Sequence, residues 1–126
     1  IAERDGLDRV TLRLGNLTAR RDFTDVRDMV RAYLRILEAG DPDVPYLACS
    51  GGSVAIRDLV DGVVAAARLE VEVESDPGLL RPGEQPDLYG SPRRLRELGW
   101  SPTIPLQQTL ADTLDWWRTQ VMNEED

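Results

Sequence analysis

Residues 20–28 read RRDFTDVRD, and within them the spacing of apolar residues changes from that of a strand to that of a helix. Residues 21–24 predict a short strand. From Asp25 the apolar residues recur every three or four positions, which predicts an amphipathic helix that ends at Gly40. Its predicted buried stripe contains Val26, Met29, Val30, Tyr33, Leu34 and Leu37.

The flanking segments also alternate between strands and helices. Apolar and polar residues alternate at 10–14 and again at 71–74, which predicts two half-buried strands. The apolar run at 44–49 predicts a third strand. Serine commonly caps the start of a helix, so Ser53 predicts the N-cap of a second helix. The buried stripe of that helix is expected to contain Ile56, Leu59, Val60, Val63, Val64 and Ala67.

The last part of the chain begins with an irregular stretch, residues 75–90, which is rich in proline, glycine and acidic side chains. Ser91 and Pro92 predict the start of a short helix that stops at Gly99. Pro105 predicts the start of the final helix. The inward residues of that helix are expected to be Leu106, Leu110, Leu114, Trp117 and Val121.

Strands that alternate with helices predict an α/β fold, and no linker divides the chain, so we expect one domain over residues 1–126.

The hydrophobic fraction of 41% is typical of a globular protein. A net charge of -8 disfavours binding to nucleic acid. No apolar run approaches the ~20 residues that cross a bilayer, so no membrane partner is expected. A single cysteine, Cys49, excludes an internal disulfide and favours a cytoplasmic location.

The basic residues restrict the chemistry that this chain can perform. It contains no histidine and no lysine, so all 15 basic residues are arginine. Without histidine there is no imidazole base and no histidine-ligated metal. Without lysine there is no Schiff base, no P-loop lysine and no tyrosine–lysine proton-transfer pair. Arginine suits anion binding, so we expect these residues to hold a ligand and to supply no catalytic residue, metal site or cofactor site.

Two arginines, Arg21 and Arg81, are candidates for binding a diphosphate, because the planar guanidinium matches pairs of phosphate oxygens. Arg21 precedes the helix predicted from Asp25, whose first N–H groups also attract phosphate. Glu84 follows Arg81 closely and could accept hydrogen bonds from ribose hydroxyls. The alternatives are a surface ion pair between Arg21 and Asp22 or Asp25, and a solvated proline–glycine turn after Arg81.

The glycine-containing segment SGGS at residues 50–53 resembles a phosphate-binding loop. It lacks the lysine of the Walker motif and does not match G-x-G-x-x-G. A tight turn from a strand into a helix, ending in an N-cap, needs only local hydrogen bonds and is the favoured interpretation.

Several motifs occur in an order that resembles one family. They are LGNL at 14–17, RDFTDVRD at 21–28, YLACSG at 46–51, RPGE at 81–84, GSPRRLRELGWSP at 90–102, and a closing amphipathic helix with Trp117. This order is similar to the carboxy-terminal part of extended short-chain dehydrogenase/reductases that act on nucleotide sugars. Within that family, the chain most resembles the branch of GDP-mannose 4,6-dehydratase and GDP-4-keto-6-deoxy-mannose reductase.

The resemblance implies a nucleotide-sugar site built from five residues. Arg21 and Arg81 would bind the diphosphate from opposite sides, and Glu84 would bind the nucleotide ribose. Leu14 and Asn16 would lie near the base, mainly through backbone groups. In this family an amino-terminal Rossmann domain holds the NAD(P) through which hydride is transferred.

The chain lacks two features of the family pattern, the glycine-rich dinucleotide loop and the Tyr-x-x-x-Lys pair. We therefore expect a substrate-binding portion without its Rossmann domain, with NAD(P) bound by the parent protein. Its expected partners are a nucleotide sugar and the missing Rossmann domain, whose sheet residues 44–49 would extend. A homodimer is the alternative way to cover that segment.

Two other functions remain consistent with the sequence. One is a non-catalytic interaction or regulatory domain, and the other is the same module from a UDP- or dTDP-sugar epimerase. Arg21 and Arg81 should face a common cleft in a binding site, and should point apart or pair with local acids in an interaction domain. Residues 15–17 favour GDP, while reductase, dehydratase and epimerase activities are not separated by these motifs.

Overall fold

Short strands alternate with helices along residues 2–3 and 5–123, the part of the chain that this computed structural model describes. The predicted α/β class is confirmed. The strands are β1 Arg9–Leu14, β2 Arg20–Arg21, β3 Val54–Ala55, β4 Glu70–Ser75 and β5 Asp87–Leu88. The helices are α1 Val26–Ala39, α2 Ile56–Ala66, α3 Arg93–Glu97 and α4 Leu106–Asn123, and a single 3₁₀ turn spans Pro77–Leu79.

The first sheet consists of β1 and β4, which pair in parallel with Arg9 opposite Glu70 and Leu14 opposite Ser75. Both strands were predicted from their alternation. Exposed ion pairs between the strands, such as Arg9 Nη2 to Glu72 Oε2 at 2.9 Å, add little stability. The pairing matters for position, because it places the end of β1 beside the start of the irregular stretch.

The second sheet has the order β3-β2-β5, with β2 antiparallel to β3 and parallel to β5. The N–H of Arg20 donates to the carbonyl of Pro86 at 2.8 Å, and that of Asp22 donates to Leu88 at 3.1 Å. The strand predicted at 21–24 is therefore shorter and begins one residue earlier. This pairing brings the end of the irregular stretch beside Arg21.

Helix α1 begins and ends as predicted. The Asp25 carboxylate caps it by accepting from the N–H of Arg27 at 2.8 Å, and Gly40 ends it. The predicted buried stripe is wrong, because Val26, Val30, Tyr33, Leu34 and Leu37 are between 51% and 83% exposed. The inner face instead contains Asp28, Ala32 and Ile36.

The buried carboxylate of Asp28 explains this orientation of α1. Its oxygens accept hydrogen bonds from the N–H of Thr103 at 2.9 Å and of Ile104 at 3.0 Å, and Arg31 also contacts it. Burial raises the pKa of Asp28, but the hydrogen bonds from Ile104, Arg31 and Thr103 outweigh it and leave the pKa below its ordinary value. The carboxylate can be buried only if this face of α1 meets residues 103–104.

A small core packs around the same face. Ala32 of α1, Leu95 of α3 and Trp100 are each at most 4% exposed, with Tyr46 and Ala48 packed against them. The indole N–H of Trp100 donates to the carbonyl of Asp28 at 3.0 Å. Apolar burial and satisfied polar groups thus hold α1 against α3.

Two local predictions around α2 are wrong. Residues 44–49 form no strand, because no described segment pairs with them. Ser53 does not cap α2, which begins three residues later with Ala55 in the N-cap position. The hydroxyl of Ser53 accepts a hydrogen bond from Arg20 Nε at 3.2 Å. The N–H of Ile56 instead donates to Ala19, at 2.9 Å, so the helix start is satisfied by backbone. The predicted stripe of α2 is at least partly buried.

Helix α4 packs against α2, where Leu110 lies against Gly62. The three leucines of its predicted stripe are half-buried, and Val121 is 8% exposed. Trp117 was predicted to face inward but is 53% exposed. It borders an open cleft of about 460 Å³ beside Leu69, and its ring stands edge-on to that of Trp116. Within the described ranges, no helix has the length and apolar character needed to cross a membrane.

Replacing Asp28 with asparagine should lower the free energy of unfolding by about 2 kcal/mol at pH 7, because either orientation of the amide points its NH₂ at other donors. The depressed pKa of Asp28 means that ionisation stabilises the fold above the unfolded value of ~4, and that this stabilisation is lost as the pH falls. Urea unfolding followed by tryptophan fluorescence from pH 7 to pH 3 measures both effects.

The exposed Asp43→Asn variant is the matched control and should differ from the wild type by less than ~0.5 kcal/mol. Equal stability of Asp28→Asn and the wild type at pH 7 would show that the buried contact does not hold α1 in place.

Candidate functional site

Three predicted site residues lie together at the edge of the second sheet. Arg21 Nη2 lies 3.0 Å from Glu84 Oε1, and Asn16 Nδ2 donates to Glu84 Oε2 at 2.8 Å. The side chains of Arg21 and Glu84 are 26% and 27% exposed, so the pair is shielded but open on one side. We call Asn16, Arg21 and Glu84 the anion cluster.

The guanidinium of Arg21 is held by backbone as well as by Glu84. Its Nη1 donates to the carbonyls of Arg20 at 2.7 Å and Gln85 at 2.9 Å. Arginine has five N–H donors, and these contacts use three of them. Nε and one Nη2 hydrogen have no partner among the described residues, so two donors of this guanidinium remain available to an anion.

Arg81 and Glu84 lie at opposite ends of one tight turn. The N–H of Glu84 donates to the carbonyl of Arg81 at 3.4 Å, with Pro82 and Gly83 between them. Gly83 has φ +73°, and proline followed by such a glycine is typical of a type II turn, whose ends lie within about 7 Å. Arg81 is exposed, and its guanidinium pairs with no residue in the described ranges. The turn therefore places the backbone of Arg81 next to that of Glu84, the acid of the anion cluster.

Leu14 is the last residue of β1, two residues before Asn16 of the anion cluster. Its carbonyl accepts from the N–H of Asp76 at 2.7 Å. At Gly15 a Cβ would lie 2.8 Å from the carbonyl oxygen of Leu79, so only glycine permits this approach of the 3₁₀ turn. The segment before Asn16 is thus packed under the irregular stretch.

The glycine-containing turn at 50–53 has its donors occupied by Asp22. The Asp22 carboxylate accepts from the N–H of Ser50 at 2.8 Å and from that of Gly51 at 3.0 Å. This supports a structural turn over a phosphate loop. Sequence reasoning assigned no such role to Asp22, and the only signal was an acid beside an arginine on a strand, where neighbours face opposite ways.

Cys49 precedes this turn and is half-buried. Burial raises the pKa of its thiol, which disfavours the reactive thiolate. Across the described ranges, no cluster of His, Cys, Asp or Glu could hold a metal ion. The anion cluster itself offers guanidinium donors on Arg21 and carboxylate acceptors on Glu84.

Comparison with known proteins gives consistent results. The family model of GDP-mannose 4,6 dehydratase matches residues 4–113. GDP-6-deoxy-D-mannose reductase of Pseudomonas aeruginosa is 37% identical over 122 residues, which are 96% of this chain and 40% of the relative. The chain spans about two fifths of the length of such relatives.

Solved structures agree with the sequence relatives. The structure of RMD from Pseudomonas aeruginosa complexed with NADPH matches with a TM-score of 0.83 and 35% identity, covering 94% of this chain and 39% of that one. The UDP-glucose 4-epimerase of Thermotoga maritima with UDP-glucose matches with a TM-score of 0.78 and 25% identity, covering 95% and 38%.

Removing the Asp22 carboxylate should free the turn at 50–53. In Asp22→Ala, we expect the amide hydrogens of Ser50 and Gly51 to exchange about ten times faster, because each loses a charge-assisted hydrogen bond. Hydrogen exchange followed by NMR measures this. Asp61→Ala, which removes an exposed carboxylate from α2, should leave both rates unchanged, and unchanged rates in Asp22→Ala would refute the contact.

Proposed function

Because this chain belongs to the GDP-mannose 4,6-dehydratase family of NAD-dependent sugar-modifying enzymes, we propose that it binds the nucleoside diphosphate part of a nucleotide sugar. The observation that carries the proposal is the anion cluster, in which Arg21 is locked in place with two donors free. The unpaired Arg81 at the adjoining turn supplies a second cation. Two guanidinium groups offer several N–H donors to the oxygens of a diphosphate.

Each residue of the proposed site has a separate task. The free donors of Arg21 bind one phosphate, and Arg81 binds the other. Both oxygens of Glu84 keep a lone pair after their contacts with Arg21 and Asn16, so they can accept the two hydroxyls of a ribose. The base lies along Leu14 and Asn16 and is recognised mainly through backbone groups.

We propose GDP as the nucleotide, in line with the relatives named for GDP sugars. The match to an epimerase solved with UDP-glucose makes UDP the rival. A test of binding therefore has to compare nucleotides that share the diphosphate and differ in the base.

The chain's own residues do not fit NAD(P). Among the described residues, the turn at 50–53 is the glycine-containing segment that leads into β3 and α2, and Asp22 occupies the N–H groups of Ser50 and Gly51 that a dinucleotide phosphate would need. We propose that the cofactor is bound by another part of the longer enzyme, and that this chain supplies substrate binding without catalytic residues.

We propose that this cofactor-binding part also covers α1. The outer face of α1 contains Val30, Tyr33, Leu34 and Leu37, all more than half exposed, and Leu47 is 58% exposed. Such a patch marks an interaction surface. Most of the length of the relatives lies outside the matched region, and residues 44–49 have no strand partner among the described residues.

The nucleotide proposal predicts that GDP shifts the NMR signals of Arg21 Nε and of the backbone at 81–85. Arg21→Ala and Arg81→Ala should each weaken binding at least tenfold, because a hydrogen bond to a charged group contributes about 1.5–3 kcal/mol. Arg93→Ala, which removes an arginine that is 79% exposed on α3, is the matched control and should bind like the wild type.

Equal binding by all four proteins would remove Arg21 and Arg81 from the site. Tighter binding of UDP or dTDP would overturn the choice of base and keep the diphosphate site. No binding of any nucleotide would favour the non-catalytic interaction domain.

The docking proposal predicts that this chain binds the part of the P. aeruginosa reductase outside the matched 122 residues. Leu37→Asp should weaken that binding at least tenfold, because a buried leucine contributes about 1.5–3 kcal/mol. Isothermal titration calorimetry measures the affinity. Gln107→Glu adds a charge on exposed α4 and should have no effect.

Equal affinity for both variants would place the interface elsewhere. A wild-type dimer that Leu37→Asp dissociates in sedimentation, without binding to the reductase part, would assign the face to a second copy of this chain.

A further inference from the structure

The side chain of Asn16 has its orientation determined by its neighbours. Its Oδ1 accepts three hydrogen bonds, from the N–H of Thr18 at 3.0 Å, the hydroxyl of Thr18 at 2.8 Å and the N–H of Ala19 at 3.2 Å. Because two of these donors are backbone N–H groups, the atom among them has to be oxygen. The other end is therefore the NH₂ group, and it points at Glu84.

The backbone that carries these donors is itself well held. Leu17 is 6% exposed and Ala19 is 2% exposed. Their carbonyls accept from the first N–H groups of α2, at 2.9 Å from Arg57 and 2.9 Å from Ile56. Hydrogen bonds thus connect the start of α2 through residues 17–19 and Asn16 to the carboxylate of Glu84.

We infer that Asn16 is a positioning residue, which holds Glu84 so that its two oxygens face a ribose diol. This inference rests on the proposed function of the anion cluster. Arg21 holds one oxygen of Glu84 and Asn16 holds the other, at 3.0 Å and 2.8 Å. With both oxygens held from inside the protein, the carboxylate does not need to be ordered when the nucleotide binds.

The alternative is that Asn16 only stabilises the turn at 16–19, and Asn16→Asp separates the two roles. Aspartate can accept the same three hydrogen bonds through one oxygen, but its second oxygen would face Glu84 Oε2 at about the 2.8 Å of the native contact. Among the described residues, Arg21 is the charged side chain that contacts Glu84. A role limited to the turn predicts that this variant keeps the wild-type preference for a nucleotide with ribose hydroxyls.

The first measurement needs no ligand. Thermal unfolding of Asn16→Asp should show a melting temperature that falls, relative to the wild type, as the pH rises from 5 to 8, because two facing carboxylates repel when both are ionised and share a proton at acid pH. The double variant with Glu84→Gln should lose this pH dependence, because the glutamine NH₂ can donate to the aspartate. The melting curves also show whether each variant is folded.

The second measurement compares GDP with 2′,3′-dideoxy-GDP at pH 8. The wild type should bind GDP at least about tenfold more tightly, because the hydroxyls hydrogen-bond to a carboxylate. Folded Asn16→Asp should bind the two nucleotides about equally. Retention of the preference, or a pH profile like that of the wild type, would overturn the positioning role. Failure of the wild type to bind either nucleotide would contradict the proposed function, and the role of Asn16 with it.

Discussion

The carboxylate of Asp28 accepts hydrogen bonds from the backbone of Thr103 and Ile104, which lie some distance along the chain. A buried carboxylate without partners would cost several kcal/mol, so α1 can pack only where these partners are present. The same contact turns Ala32 toward Leu95 and Trp100. The positions of α3 and of the start of α4 therefore depend on one ionised group.

Sequence patterns predicted the helices well where their determinants are local. The ends of α1 followed from Asp25 and Gly40, and β4 followed from its alternation. The buried face of α1 was assigned wrongly, because apolar spacing shows that a helix has an apolar side and does not show what covers it. Here the apolar side is outward and Asp28 is inward. The strand predicted at residues 44–49 was wrong for a related reason, since a strand forms only beside a partner strand.

The site was predicted in part. Arg21 and Glu84 were both named from motifs, but their ion pair joins residues far apart in sequence and depends on β2 pairing with β5. Two-residue strands give no periodic signal, so this pairing could not be predicted. The contact of Asp22 with the turn at 50–53 could not be predicted for the same reason.

The shortness of β2 has a consequence for the sign of the charge at the site. Arg21 and Asp22 are neighbours, and one contacts Glu84 while the other contacts Ser50 and Gly51. A slip of one residue that moved Asp22 into the place of Arg21 would turn Asp22 toward Glu84, because side chains alternate along a strand. The surface would then present two acids and repel an anion. The backbone register of two residues thus selects the kind of ion that this edge of the molecule attracts.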